Sequence, residues 1–344
     1  MFDAQRILIF DANWLGDAVM SLPFIHNVRK NFPRAFIAVA LPQRCREIME
    51  GCPDLNEIIF FDERLTHRTI LKKIHFVIML RRCKFDTVFL IHRSATRALL
   101  CFLAGIKKRI GYSRKKSNWL LNYRIAALPR YKMHLVDYYL GLLEGAGLKI
   151  FSRRYNFFLN DAQRLQAKEK LKVAGLNDKT AYVVFHPGAN EAIRRWPEDN
   201  FVAVMRYVFN TYGLQAVVTG SPADAALGKT IIQSADFKII NLCGQTSLKE
   251  LAAILEKAVF FVSGDTGAMH IACAVGTFTI ALFGTASPVI TGPRGDGKFI
   301  ILQKDVGCSI PCFKLDCPDN RCMKAITVLD VTAQIDNFMQ SKRP

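Results

Sequence analysis

Five short segments combine glycine with side chains able to do chemistry: 11–17 (DANWLGD), 187–196 (PGANEAIRRW), 220–224 (GSPAD), 264–270 (GDTGAMH) and 284–288 (GTASP). In the first, Asp17 stands beside Gly16 where a helix would begin. A helix dipole favours the ionised carboxylate that a general base needs, although the same position suits a plain first-turn acid. In the second, Gly188 allows close main-chain approach, and Arg194 or Arg195 can pair bidentately with phosphate oxygens. Two surface arginines on a solvated face would read the same way, and His186 suits a hydrogen-bonded strand end better than a catalyst. Gly264-Asp265-Thr266-Gly267 links an apolar run, VFFVS, to the helical run AMHIACAV. Thr266 and Gly267 can offer N–H groups and a hydroxyl to an anion, as helix N-termini do for phosphates. Asp265 can accept hydrogen bonds from sugar hydroxyls or cap the helix. His270, one turn further on, fits a structural place better than a ligating one. Asp224 can hold a ribose diol, and capping accounts for Ser221 and Asp224 equally well.

Ten cysteines divide into six scattered ones and a cluster, Cys308, Cys312, Cys317 and Cys322, spaced C-x3-C-x4-C-x4-C. Four thiols so close can make a tetrahedral structural zinc or an iron–sulfur site, though the C-x2-C knuckle is missing, and unpaired thiols are the other reading. Disulfides do not suit a reducing compartment.

The elements that must position these groups follow from the pattern of apolar runs. Short β-branched runs alternate with amphipathic, helix-length segments, the signature of βα units around parallel sheets. Strands are expected near 6–10, 36–41, 57–61, 86–91 and 108–112, with helices near 17–31, 43–50, 67–83, 94–104 and 134–147. The rhythm restarts with strands near 181–186, 215–219, 239–242, 259–263 and 278–283, and helices near 197–212, 222–234, 247–257 and 266–275. The length, 344 residues, exceeds what one core usually organises. Two doubly wound domains are therefore expected, 1–165 and 166–344, with a polar, basic hinge around 150–180 and a last helix able to pack back on the first domain. In such sheets ligands bind beyond the carboxyl ends of strands, which is where the five segments fall. The first loop has one glycine where a dinucleotide fingerprint needs three, which argues against an NAD-binding first domain.

Charge separates the halves. Residues 1–160 hold 27 Lys/Arg and 12 Asp/Glu, whereas 161–344 hold 20 and 17, so the first half carries nearly all of the chain's net +18. An anionic partner is implied, but charge alone does not name it. The clusters Lys72-Lys73, Arg81-Arg82-Lys84, Arg93 with Arg97, Lys107-Lys108-Arg109 and Arg114-Lys115-Lys116 lack an aromatic-interleaved platform, a zinc finger or a helix-turn-helix. Nucleic acid is disfavoured, and an anionic acceptor at a membrane surface fits better. No apolar run reaches the ~20 residues of a membrane span, and the first strand is too short for a signal-peptide core. A soluble cytoplasmic chain, at most peripheral to the inner face of the cytoplasmic membrane, is expected.

In this order the segments resemble the heptosyltransferases of lipopolysaccharide inner-core assembly, the ADP-heptose-using members of glycosyltransferase family nine. ILIFDANWLGDAVMSLPFIHNVRKNFP, RIGYSRKKSNWLLNYRI, HLVDYYLGLLEGAG, HPGAN…RRWP, GSPAD and VSGDTGAMHIACAVGT carry the resemblance over nearly the whole chain. Asn13-Trp14-Leu15-Gly16-Asp17 is most similar to members that add the second heptose. The resemblance implies a GT-B architecture, two Rossmann-like domains facing a central cleft, the first handling the acceptor and the second the nucleotide sugar. It implies Asp17 as general base in an inverting displacement. Arg194 matches a position where the family carries a phosphate-binding Lys; Asp224 matches a ribose contact that is usually Glu. Asp265 matches the residue facing the donor sugar, with Thr266 and Gly267 at the diphosphate, His270 completing the motif, and Gly188 and Ala189 lining the nucleotide pocket. On the acceptor side Asn13, Gly16, Arg93 and Arg114 are the expected contacts. No metal is implied for catalysis, and the resemblance does not account for the cysteine cluster. The implied partners are ADP-heptose and a phosphorylated lipid A-linked core acceptor. Another nucleotide sugar, a sugar-nucleotide epimerase of the same architecture and a non-catalytic basic surface-binding protein are the competing readings.

Overall fold

A computed structural model describes residues 3–11, 13–114, 118–295, 297–314 and 316–342. Ala12 of the first loop and Lys115 and Lys116 of the basic clusters lie outside the described residues. The chain divides into two compact units, Met1–Phe158 and Leu159–Pro344.

The first unit runs β1 (Arg6–Phe10), α1 (Leu15–Asn31), β2 (Phe36–Leu41), α2 (Arg46–Met49), β3 (Glu57–Phe60), α3 (Ile70–Cys83), β4 (Thr87–Leu90), α4 (Ala95–Leu103), β5 (Lys108–Tyr112), β6 (Tyr123–Ile125) and α5 (Leu135–Gly145). Its strands pair in parallel in the order β3-β2-β1-β4-β5-β6. Because alternate strand residues face opposite sides, Leu8, Phe10 and Val88 share one core with Phe76 and Leu80 of α3 and Leu100 and Cys101 of α4. On the opposite side Phe24 of α1 meets Phe89 of β4 edge to face, and α1 packs on α5. Asn27, buried in α1, fastens the segment after α5: its amide donates to the Ser152 carbonyl, and its Oδ1 accepts from the Phe151 and Ser152 N–H groups.

The second unit contains α6 (Asp161–Val173), β7 (Tyr182–His186), α7 (Glu198–Tyr212), β8 (Gln215–Val218), α8 (Ala225–Gln233), β9 (Ile239–Asn241), α9 (Leu248–Lys257), β10 (Phe261–Gly264), α10 (Gly267–Ala274), β11 (Thr279–Phe283), α11 (Pro288–Thr291), β12 (Phe299–Gln303), α12 (Arg321–Lys324) and α13 (Val328–Ser341). Its parallel order, β12-β11-β10-β7-β8-β9, repeats the first sheet's pattern. α7, α8 and α13 close one core, in which Trp196 donates to the Ile326 carbonyl at 2.8 Å and Phe338 stacks on Phe278. α6 packs against α9, and α9 against α10. The buried face of the last helix, Val331 and Ile335, thus belongs to the second unit's core.

Several elements depart from the sequence expectation, among them α6, β6, β12 and the short helices α11 and α12. The polar stretch 150–180 is not merely a hinge, because it contains α6. Asn160 and Gln163 cap its start reciprocally, and Arg164 forks onto Glu256 at 2.9 and 3.0 Å. Only Ala167 and Leu171 of α6 are buried, so its apolar period is weak. β6 and β12 are edge strands, the first three residues long and the second nowhere fully buried. β6 (YRI) lacks the continuous apolar run that marks a buried parallel strand, whereas β12 (FIILQ) has one but carries it at the sheet edge.

Candidate functional site

In each sheet the chain leaves its first strand in one direction and later returns to the other side of it. The resulting switch points lie between β1 and β4 and between β7 and β10, and loops at such crevices bind ligands.

At the second unit's switch point the loops after β7 and β10 meet through charge. Arg194 Nη1 lies 3.1 Å from Asp265 Oδ2. Burial pushes the Asp265 carboxyl up to about 6, with the Arg194 guanidinium opposing that shift. Capping of α10 falls instead to Thr266, whose Oγ1 accepts from the Met269 N–H at 3.3 Å and meets Ser263 Oγ at 2.9 Å. Gly267 opens the helix, and His270 is buried within it. The backbone of Gly264 passes close to Arg194: a Cβ at Gly264 would lie 3.1 Å from the Arg194 carbonyl oxygen.

The neighbouring turn is built around a second carboxylate. Asp224 Oδ2 accepts from the Ser221 N–H at 2.9 Å and its hydroxyl at 2.6 Å, so Asp224 does cap the turn that precedes α8. Its Oδ1 lies 3.4 Å from Arg195 Nη2, which also donates to the Ala189 carbonyl at 3.0 Å. A Cβ on Gly188 would fall 2.4–2.6 Å from this carboxyl group, closer than real side chains approach, so glycine is required there by packing. Burial pushes His186 down to about 4, against the pull of Asp224, and leaves it neutral beside the Thr219 hydroxyl.

The first unit's switch point uses other means. Arg97, fully buried on α4, donates to the Asp11 carbonyl and to Asn13 Oδ1, bracing the loop after β1. Its guanidinium also lies 5.0 Å over the Phe10 ring. Arg44 donates to the Asn13 carbonyl at 2.9 Å and pairs with Asp62 at 2.6 Å. Gly16 and Asp17 fall in the first turn of α1. His92, at the end of β4, brings Nε2 to 4.0 Å from Asp17 Oδ2 and 3.5 Å from the Tyr139 hydroxyl. Burial, reinforced by the charges of Arg97 and Arg130, pushes the His92 imidazole down to about 3. At neutral pH it is uncharged, so its approach to Asp17 is not an ion pair. Arg93 and Arg114 lie together beside it: Arg93 donates to the Ser113 carbonyl at 3.0 Å and Arg114 to the Arg93 carbonyl at 3.1 Å. Both line a small pocket with His92, Ser94 and Tyr112.

Residues 74–322, well over half of the chain, match the model of Glycosyltransferase family 9 (heptosyltransferase). The chain belongs to glycosyltransferase family 9. A curated relative, Lipopolysaccharide heptosyltransferase 2 of Salmonella typhimurium, is 27% identical over 300 residues, 84% of this chain and 85% of its own. Among solved structures, a family 9 glycosyl transferase from Veillonella parvula superimposes with a TM-score of 0.88 at 22% identity, covering 99% of each chain. The ADP-heptose lps heptosyltransferase II of Escherichia coli gives 0.82 at 22% identity over 98% of this chain and 100% of that one. These likenesses identify the fold as GT-B, two Rossmann-like units. The protein is a glycosyltransferase.

One expectation is overturned for this family 9 member. The cysteine cluster is not a structural metal site: among the described residues no group of three or more His, Cys, Asp or Glu is placed to hold a metal ion, and all four thiols are free. The thiols face different surroundings. Cys308 is exposed, 3.4 Å from the Arg321 guanidinium, whereas Cys322 is buried against Gly284 and points toward Asn320. Sequence reasoning also passed over His92 and the distinct positions of Arg97 and Arg195. Arg97 carried a signal, since it follows the cap residue Ser94 by three and so lies one turn into α4. His92 lay in the loop after the fourth strand, a place the first sheet's switch point makes prominent.

Proposed function

We propose that this glycosyltransferase moves L-glycero-D-manno-heptose from ADP-heptose to a phosphorylated, lipid A-linked inner-core oligosaccharide, with inversion at the anomeric carbon. The observation that carries this reading is the similarity to Lipopolysaccharide heptosyltransferase 2 across 84% of the chain. In this reading Asp17 takes the proton of the acceptor hydroxyl as that oxygen bonds to the anomeric carbon and the bond to the ADP oxygen breaks. The start of α1 favours the charged carboxylate, and the neighbouring His92 is neutral. The negative charge that develops on departing ADP is met by Arg194 and by the N–H groups at Thr266 and Gly267. Asp265 orients Arg194 and faces the sugar. Asp224 offers the ribose the oxygen that Ser221 does not engage, and Gly188 and Ala189 line the nucleotide site. Asn13, Gly16, Arg93 and Arg114 receive the acceptor, whose phosphates account for the cations beside His92.

The test is an assay of ADP release from ADP-heptose and other nucleotide sugars, with and without a heptose-deficient core lipid. Release that needs both ADP-heptose and the core lipid is expected. Release from a different nucleotide sugar alone would replace the donor, release without acceptor would favour a hydrolase, and an epimerised nucleotide sugar without ADP release would favour an epimerase.

A further inference from the structure

Helix α3 is apolar on both sides. Phe76 and Leu80 point into the first unit's core, while Ile70, Leu71, Ile74 and Ile78 form an outward stripe at helical spacing, with Ile70 76% and Leu71 70% exposed. The neighbouring α4, which packs on α3 and shares its core, also turns Leu99, Phe102 and Leu103 outward. Arg81 of α3 donates to the Leu103 carbonyl at 3.0 Å, which ties the two helix ends together. Trp119, 63% exposed, meets Phe102 edge to face at 5.7 Å and extends the apolar surface. Scattered surface leucines need no explanation, but two packed helices that both turn apolar side chains outward, with an exposed tryptophan against one of them, mark an interaction surface.

The charge around it selects the partner. From Arg64 to Val136 the chain holds 18 Lys/Arg, of which Arg97 is buried, and one acidic residue, Asp86. Asp86 is itself occupied by the Gln5 and Arg6 N–H groups. Lys72 and Arg82 are exposed on α3, and Arg109 lies 5.2 Å over the Phe102 ring. A second copy of this chain would bring cations against cations. Nucleic acid would use the charge but leave the aliphatic stripe in water. An anionic bilayer satisfies both, since its headgroups attract the cations and its interface accepts the apolar face of a helix lying in plane. No described helix is long and apolar enough to cross a membrane, so this contact would be a surface one.

We propose that the outward faces of α3 and α4, with Trp119, form the surface by which the first unit docks on an anionic lipid bilayer. This deepens the reading of a lipid-linked acceptor and rests on it: the same unit would meet the membrane and receive the core oligosaccharide.

The experiment compares co-sedimentation of the full chain with phosphatidylglycerol–phosphatidylcholine vesicles and with pure phosphatidylcholine vesicles. Affinity should be roughly tenfold higher for the anionic vesicles and fall with added salt. Leu71→Ser/Ile74→Ser, at exposed positions, should lower vesicle affinity roughly tenfold without changing Tm. Vesicles should shift tryptophan emission to the blue, and Trp119→Phe should abolish that shift. The proposal is overturned if Leu71→Ser/Ile74→Ser binds vesicles as the unaltered chain does, even where Lys72→Glu/Arg82→Glu does not, because charge alone would then act. It is also overturned if the serine variant instead disperses a self-associated form, making a second copy the occupant, or if a single-stranded oligonucleotide displaces the vesicles from both forms equally. Turnover on detergent-dispersed core lipid separates this proposal from the functional one. If the unaltered chain turns over and the serine variant still binds vesicles normally, docking fails alone; if it never turns over, the acceptor reading fails whatever the vesicles show.

Discussion

In the first unit the switch point buries charges of both signs, the cation Arg97 and the carboxylate Asp11, while the Asp17 side chain is 16% exposed. In the second unit the buried charges are carboxylates and the cations lie outside them. Asp265 and Asp224 are the buried charges, with side chains 10% and 7% exposed, while Arg194 and Arg195 are 40% and 38% exposed. The two sheets share one strand order, so the fold does not impose this difference. On the proposed function it follows from what each loop would present: a base to a hydroxyl in one, cations to a diphosphate in the other. Arg97 braces the loop that leads to Asp17, and Asp265 and Asp224 hold Arg194 and Arg195.

The comparison breaks most sharply at Asp17. Asp17→Asn keeps the shape and removes the proposed base, so kcat should fall by about 10²–10⁴-fold while ADP affinity, which the proposed function places in the second unit, stays unchanged. Near-normal turnover in this variant would remove the base from the first switch point. Arg97→Leu attacks the brace. It leaves the Asp11 carbonyl and Asn13 Oδ1 without their donor, and urea unfolding should show a loss of about 2–4 kcal/mol. A loss under about 0.5 kcal/mol would mean that the loop holds itself.

In the second unit the buried carboxylate makes stability depend on pH. Burial pushes Asp265 in the folded chain up to about 6 from an ordinary 3.8. The folded state therefore binds its proton more readily than the unfolded one between those values, and stability falls as pH rises through that window. Above about pH 7 the whole penalty is present, and Asp265→Asn should then stabilise the chain by about 1–3 kcal/mol. The gain should shrink toward zero below about pH 4, where Asp265 is protonated in both states. Tm measured against pH for both proteins checks this, and a constant difference across pH would show that burial of this carboxylate is not the cause. Turnover should fall in the same variant, so stability and activity part company at this residue.

Much of the fold was legible because parallel strands buried on both faces read as continuous apolar runs, as in RILIF and YVVFH. α6 was not, since its capping signal, Asn160 with Gln163, precedes a helix with only two buried residues. At the site, loops after strands located the candidate carboxylates and arginines. Spacing could not tell which carboxylate would cap. Thr266 caps α10 and frees Asp265 for Arg194, whereas Asp224 caps its own turn. Nor could it tell a buried arginine from an exposed one, because Arg97 and Arg93 stand in the same basic segment and only tertiary packing separates them. The cysteines failed for the same reason: closeness in sequence did not bring the thiols to a common point.

The smallest effect decides between neighbours. Among the described residues Arg194 makes one ion pair, with Asp265 at 3.1 Å, which leaves donors for a phosphate. Arg195 donates to the Ala189 carbonyl from both Nε and Nη2 and reaches Asp224, so its fork is already spent on holding the turn at Gly188. Arg194→Ala should therefore weaken ADP binding about tenfold, or about 1.4 kcal/mol, with Tm unchanged. Arg195→Ala should lower Tm first and weaken ADP only through the loosened turn, and Arg195→Lys should not restore it, because one ammonium cannot reproduce the fork. Calorimetry of ADP binding alongside thermal unfolding reads both. If Arg195→Ala loses ADP at full Tm while Arg194→Ala unfolds early, the two arginines exchange roles, and the outward-facing cation of the second unit is the one that now looks like its brace.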